Sequence, residues 1–223
     1  MARTGAAQEA ATASRRLNYS RQSWPLRVDL CPCDTEFVAW LRRRGIGGKA
    51  VFHFGTGDHH IVGRENAKLP KPNQVLGVTA SPEEYARYID LVIAEPRIAN
   101  SYKAMFLDIY TLDPRGLPDF DVVALFHLCE FHDPKASSYA PLDDRRLLDL
   151  FLKKLRANGR ICFYLGSNGR DAMLRLVDKF IAAGKLQIAE VPLPLLICRR
   201  ATPGRAKAAR TKDRARIDAL LNA

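Results

Sequence analysis

Lys49-Ala-Val-Phe-His-Phe-Gly-Thr-Gly-Asp58 reads as one buried strand running straight into a glycine turn. Val51, Phe52 and Phe54 supply the apolar strand, and Gly55 and Gly57 supply the turn. Without a Cβ, the backbone there can bend sharply or approach a ligand closely. In an open α/β sheet, such a turn after the first strand marks the ligand crevice. Many strands end in Gly-x-Gly, so the reading rests on what surrounds this one.

The rest of the chain alternates in the required order. Gln74–Thr79 is a short apolar run that predicts a second strand. Ser81-Pro-Glu-Glu84 opens a helix: Ser81 caps free amides, Pro82 fits the first helical position, and Glu84 sits three residues after the cap. Tyr85, Tyr88, Ile89 and Val92 recur at helical spacing and predict a buried face. Lys103–Asp108 predicts a third strand ending in a carboxylate, and Asp119–Phe126 a fourth. Leu147–Leu155 is an amphipathic helix expected to stop at Asn158-Gly159. Arg160–Leu165 is a fifth strand, residues 169–183 another helix, and residues 186–199 a closing pair of strands around Pro192 and Pro194. Strands alternating with helices predict a doubly wound, mostly parallel α/β sheet with helices on both faces.

The order of these pieces resembles the class I S-adenosylmethionine-dependent methyltransferases over roughly residues 35 to 200. Val51 to Gly57 resembles that family's first motif, and Gly77-Val-Thr-Ala-Ser-Pro82 the end of its second strand. Phe120-Asp-Val-Val-Ala-Leu-Phe-His127 resembles the fourth-strand motif. Leu152 to Ile161 resembles the helix, turn and fifth strand that follow, and is the most specific match. The resemblance implies a Rossmann-like sheet of seven strands whose last two form an antiparallel pair. It also implies S-adenosylmethionine as cofactor, held by His53, Gly55, Thr56, Gly57, Thr79, Asp108 and Phe126. Gly55 to Gly57 would face the methionine part, Thr79 the ribose and Asp108 the adenine.

The sequence also departs from the family. His53 stands where an acidic residue is usual, and His59 replaces the third small residue of the glycine turn. The second strand ends in Thr79 where the family has a carboxylate for the ribose, and one hydroxyl cannot replace a charged, bidentate acceptor. Gly63, Pro70 and Pro72 predict a short or irregular helix after the turn.

All five histidines (His53, His59, His60, His127 and His132) fall at the ends of the first or fourth strand, which flank the crevice. One reading packs His53 in the core and lets His59 hydrogen-bond the turn. Another gives His59, His60 or His127 an acid–base role, with His59 and His127 the catalytic candidates. A metal site is a third reading, but His127-x₄-His132 matches no closed zinc pattern, so no metal is assigned. Cys31-Pro-Cys33 is too tightly spaced for a relaxed disulfide and lacks a distant Cys-x-x-Cys partner for zinc. Cys162 and Cys198 fall inside strands as small buried hydrophobes, and Cys129 lies at the crevice.

The chain's 223 residues suit one α/β domain, expected over residues 23–200. No apolar run reaches a membrane span, and the odd cysteine count with no secretory core points to a reducing, cytoplasmic setting. The net charge of +11 belongs to the ends: residues 1–24 carry +3, residues 199–223 carry +6, and the remainder only +2. Residues 1–22 read as a disordered basic tail. Residues 201–223 read as a basic helix or tail, with Ala215, Ile217, Leu220 and Leu221 giving it a weak apolar side. A solvated appendage is the expectation there, and any nucleic-acid contact would be through the basic tails only. Asp34 looks like the cap of an N-terminal helix ending at Gly45, with Phe37, Trp40 and Leu41 on its apolar face. The resemblance makes Trp24 and Trp40 candidate lid residues.

The sequence is therefore read as a methyltransferase acting on a small-molecule substrate. The alternatives are a catalytically silent scaffold of the same fold and, third, a metal-assisted hydrolase using the histidines. Nothing in the sequence fixes the oligomeric state.

Overall fold

Ala50–Phe54 forms β1, an interior strand of a seven-stranded sheet in a computed structural model that describes residues 22–133, 139–202, 204 and 207–222. On one side β2 (Gln74–Thr79) pairs with it in parallel, and β3 (Tyr102–Phe106) pairs with β2. On the other side come β4 (Phe120–Ala124) and β5 (Leu155–Tyr164), also parallel. β7 (Leu195–Arg200) runs antiparallel to β5, and β6 (Leu186–Glu190) antiparallel to β7. The order is β3-β2-β1-β4-β5-β7-β6, as the resemblance implied.

A parallel sheet covered on both faces needs apolar side chains on both, and β1 has them. Val51, Val122 and Ile197 face one layer, built from α1 (Cys33–Arg43), α2 (Ile61–Asn66) and α3 (Pro82–Ala94). Phe52, Val123 and Ile161 face the other, built from α4 (Asp144–Lys154), α5 (Arg170–Ala182) and α6 (Lys207–Leu221). Phe52 meets Phe151 of α4 at 4.3 Å between ring centroids. Burying one such ring is worth about 1.5–3 kcal/mol. The helix after the glycine turn is short, as expected, because Gly63 lies flat against the Tyr102 ring, where an added Cβ would collide.

Three local expectations are corrected. Helix α4 ends at Lys154 rather than at Asn158-Gly159, because Leu155 leaves helical geometry to pair with Phe120 and bury its side chain. Asn158-Gly159 therefore lies within β5. On α3 the fully buried positions are Glu84, Tyr88 and Leu91, while Ile89 is 38% exposed. Asp34 caps nothing: Pro32 holds the cap position of α1 and the Asp34 carboxylate turns inward.

The basic C-terminal helix is not a solvated appendage. Ile217 of α6 is fully buried in the core cluster. Asp213 accepts the Ile188 N–H at 2.9 Å, and Arg214 bridges Asp178 on α5 at 2.7 Å. The expected tail over residues 1–22 lies almost wholly outside the described residues.

Candidate functional site

In the order β3-β2-β1-β4, the chain leaves β1 and β4 in opposite directions, which opens a crevice between their carboxyl ends. Gly55 and Gly57 follow β1 with φ of +82° and +57°, a region that side-chain-bearing residues rarely adopt. The turn also needs their lack of bulk. A Cβ on Gly55 would stand 3.1 Å from the His127 ring, and one on Gly57 would strike the His59 ring and come within 2.9 Å of the Trp24 carbonyl oxygen.

The end of β2 holds what its sequence lacks. Thr79 Oγ1 donates to Glu84 Oε2 at 2.6 Å, so a carboxylate from the first turn of α3 stands beside the strand's end. Glu84 is where a capping box would use it, and Ser81 does accept its N–H at 3.4 Å. Its side chain serves the crevice instead: Oε1 accepts the Trp24 N–H at 3.2 Å, and Oε2 also meets the Thr56 hydroxyl at 3.5 Å. Burial holds this carboxyl above its ordinary range, against the lowering pull of Thr79 and Trp24. Asp108, just past β3, accepts the Tyr110 N–H at 2.9 Å and the Tyr139 hydroxyl.

Residues 22–31 cross the mouth as a strap. Trp24 is pinned at both backbone ends, its N–H on Glu84 and its carbonyl on the Asp58 N–H at 3.0 Å. Its indole is 56% exposed. Under the strap lies a cavity of about 740 Å³ bounded by Trp24, Cys31, Gly55, His59, His127 and Tyr164. A smaller one of about 200 Å³ adjoins it, bounded by Trp24, Gly55, Thr79, Glu84, Asp108 and Phe131. Together they offer two carboxylates, a glycine turn and an apolar wall: a hydroxyl- and amine-bearing ligand in the smaller, a second molecule in the larger.

The histidines separate by environment. His53 is buried beneath α1, with Nε2 2.8 Å from Asp34 Oδ1 and its ring against Phe37 and Phe126. His53 and Phe126, expected at the cofactor, are 1% exposed and do not line either cavity. His60 is also buried, between the Tyr102 hydroxyl at 2.7 Å and the Glu84 carbonyl at 2.8 Å, and desolvation pushes it down to about 4. His59 lines the large cavity and accepts the Ile61 N–H at 3.1 Å; burial lowers its pKa against the pull of Asp34. His127 lines it too, with Nδ1 3.2 Å from Glu130 Oε2. Burial lowers the pKa of His127, but the hydrogen bond and charge of Glu130 outweigh it and the net shift is upward. Buried Asp34 titrates below its usual range because the charge and hydrogen bond of His53 outweigh its desolvation.

The missing partner of Cys31-Pro-Cys33 is supplied in space rather than in sequence. One ring nitrogen of His127 and the sulfurs of Cys31 and Cys33 lie within 4.8 Å of one another. The Cys33 thiol beside it draws Cys31 down to about 6, while the same contact and burial push Cys33 up. Cys129, with a strained φ of +71°, is pushed up to about 12 by burial and by Asp144. Of the candidate lid residues, Trp24 is on the strap; Trp40 is buried and donates to Glu190 at 3.1 Å, away from the crevice.

No family model matches the sequence, and no curated protein matches it. Solved structures do. The magnesium protoporphyrin IX methyltransferase of Synechocystis PCC 6803, with bound SAH, is 11% identical with a TM-score of 0.56, over 88% of this chain and 95% of that one. A putative RNA methyltransferase from Pyrococcus horikoshii is 15% identical with a TM-score of 0.52, over 89% and 98%. The ribosomal protein L11 methylase of Lactobacillus delbrueckii subsp. bulgaricus is 18% identical with a TM-score of 0.51, over 76% and 79%. The fold is that of the class I methyltransferases. These neighbours span a porphyrin, RNA and a protein, so the fold by itself selects no acceptor. Among the described residues, no helix is long and apolar enough to cross a membrane.

Proposed function

We propose that this chain is an S-adenosylmethionine-dependent methyltransferase whose acceptor is a small molecule in the large cavity. One observation carries the reading: Glu84 and Asp108 bring two carboxylates to the small cavity beside a glycine turn. They fit the donors of an adenosine group, Glu84 accepting from ribose hydroxyls and Asp108 from the adenine amine. Gly55 and Gly57 keep the turn free of side chains where the amino-acid end would lie, and a Cβ on either would press on His127 or His59 in the wall. Bound there, the cofactor would supply an electrophilic methyl group on a sulfonium.

The chain's own contribution is alignment. The strap and the loop after β4 wall the larger cavity, and methyl transfer depends mainly on bringing donor and acceptor into line. His59 and His127 both stand in its wall, and the His59 ring could take a proton from the acceptor. A cavity of about 740 Å³ supports a small-molecule acceptor. The five free thiols support a reducing, cytoplasmic setting.

The fit of Glu84 also weighs against a silent scaffold, since that reading drew in part on the carboxylate missing from β2, beside the one replaced by His53 and the irregular segment after Gly57. Calorimetry with S-adenosylhomocysteine tests the proposal. Binding in the micromolar range, about −8 kcal/mol, is expected. Absence of binding at millimolar ligand would overturn it.

A further inference from the structure

We propose that Cys31, Cys33 and His127 form a zinc site whose fourth coordination position opens into the large cavity. Two thiolates and an imidazole are donors that zinc prefers, and the two thiolates neutralise the dication. The three ligand atoms already lie within 4.8 Å of one another, and the two sulfurs are 3.4 Å apart. Thiolates about 2.3 Å from a tetrahedral zinc stand about 3.8 Å from each other, so the set closes on an ion by movements of about 1 Å or less.

Each ligand is held by something the fold requires anyway. Cys33 begins α1, and Pro32 fixes the bend between the two cysteines. Cys31 sits on the strap, its N–H donated to the Arg27 carbonyl at 2.7 Å. His127 follows β4, and Gly55 leaves the space its ring occupies. Glu130 engages Nδ1 of that ring, which leaves Nε2 for a metal. A carboxylate behind a histidine is the usual support of a metal-bound imidazole.

Among the described residues, no fourth histidine, cysteine or carboxylate joins the cluster. Asp34 Oδ1 is 3.7 Å from Cys33 Sγ, but it is already bonded by His53 at 2.8 Å. All three ligands line the cavity, so the remaining position faces it and takes water or a soft donor such as a thiol. Zinc binding of this kind stands without the methyl-transfer reading, and its measurement needs no cofactor.

The test uses the full chain, reduced, stripped of metal and titrated with zinc ions alone under anaerobic conditions. A competing chromophoric chelator gives the affinity, and native mass spectrometry gives the stoichiometry. One zinc per chain is expected, with affinity weakened more than a hundredfold in Cys31→Ser and His127→Ala and ten- to a hundredfold in Glu130→Gln. Cys129→Ser, whose thiol lies outside the cluster, binds as the unaltered chain does. Zinc also protects Cys31, the accessible thiol of the pair, from iodoacetamide. Should Cys33→Ser fail to fold because its thiol is buried, the half-exposed Cys31 still decides, with a thermal melt confirming that its variant is folded. A reduced chain that takes up no zinc overturns the proposal. So does uptake that Cys31→Ser leaves unchanged.

Discussion

The hydroxyl of Thr79 and the carboxylate of Glu84 are 2.6 Å apart, although one ends a strand and the other opens the next helix. The strand's end thereby gains a negative charge from five residues downstream. Glu84→Gln keeps the shape and removes the charge. Affinity for S-adenosylhomocysteine is expected to fall about ten- to a hundredfold, the loss of one or two charge-assisted hydrogen bonds. Calorimetry reads it, and an unchanged Kd would remove Glu84 from the site.

Gly57→Ala adds a Cβ at φ +57° that strikes His59 and crowds the Trp24 carbonyl oxygen. Left-handed backbone and crowding together are expected to lower unfolding stability by about 2 kcal/mol. Denaturant titration measures that. Trp24 fluorescence should shift as the strap is displaced, and a variant as stable as the parent would show that the turn tolerates a side chain.

His60 predicts a pH dependence. Its ring titrates near 4 in the folded chain, below the ordinary value of about 6.5. Above about pH 6.5 neither state holds the proton and the ring's contribution is complete. As pH falls from about 6.5 towards 4, the unfolded chain binds a proton that the folded chain does not, and stability drops by at most about 3 kcal/mol. His60→Asn suits the left-handed φ of 46° at this position. Urea unfolding at pH 7 and pH 4.5 should differ less in this variant than in the parent.

Ile217→Ala removes a fully buried side chain from a helix that composition alone would assign to the surface. A loss of about 2–5 kcal/mol is expected from a cavity at a core position. A loss under about 0.5 kcal/mol in thermal or chemical unfolding would return α6 to the surface.

The sheet was legible because β1, β2, β4 and the second half of β5 are mostly apolar runs, and helices and glycines punctuate them. Local hydrogen bonding set the boundaries that were not legible. Leu155 left its helix to pair with Phe120, and Asp34 turned from a cap towards His53. The glycine turn was visible as a motif. Glu84 was visible only as a capping residue, since nothing in Ser-x-x-Glu says which way the carboxylate points. The juxtaposition of Cys31 and Cys33 with His127 had no sequence signal, because almost a hundred residues and four strands separate them. Ile217 stands on a weak apolar side in the sequence, but its burial follows from packing against α5 and β6, which pattern alone cannot reveal.

The position of β7 between β5 and β6 fixes an order of events during synthesis. A chain made from its N-terminus completes β5 well before β7 exists. Until then Ile161, Cys162 and Phe163 form an open margin with unpaired amides and carbonyls, and β6 has no strand to join. An apolar margin of that kind attracts other strands. A nascent chain that has formed β5 but not β7 therefore carries an open apolar margin, and the arrival of β7 closes it.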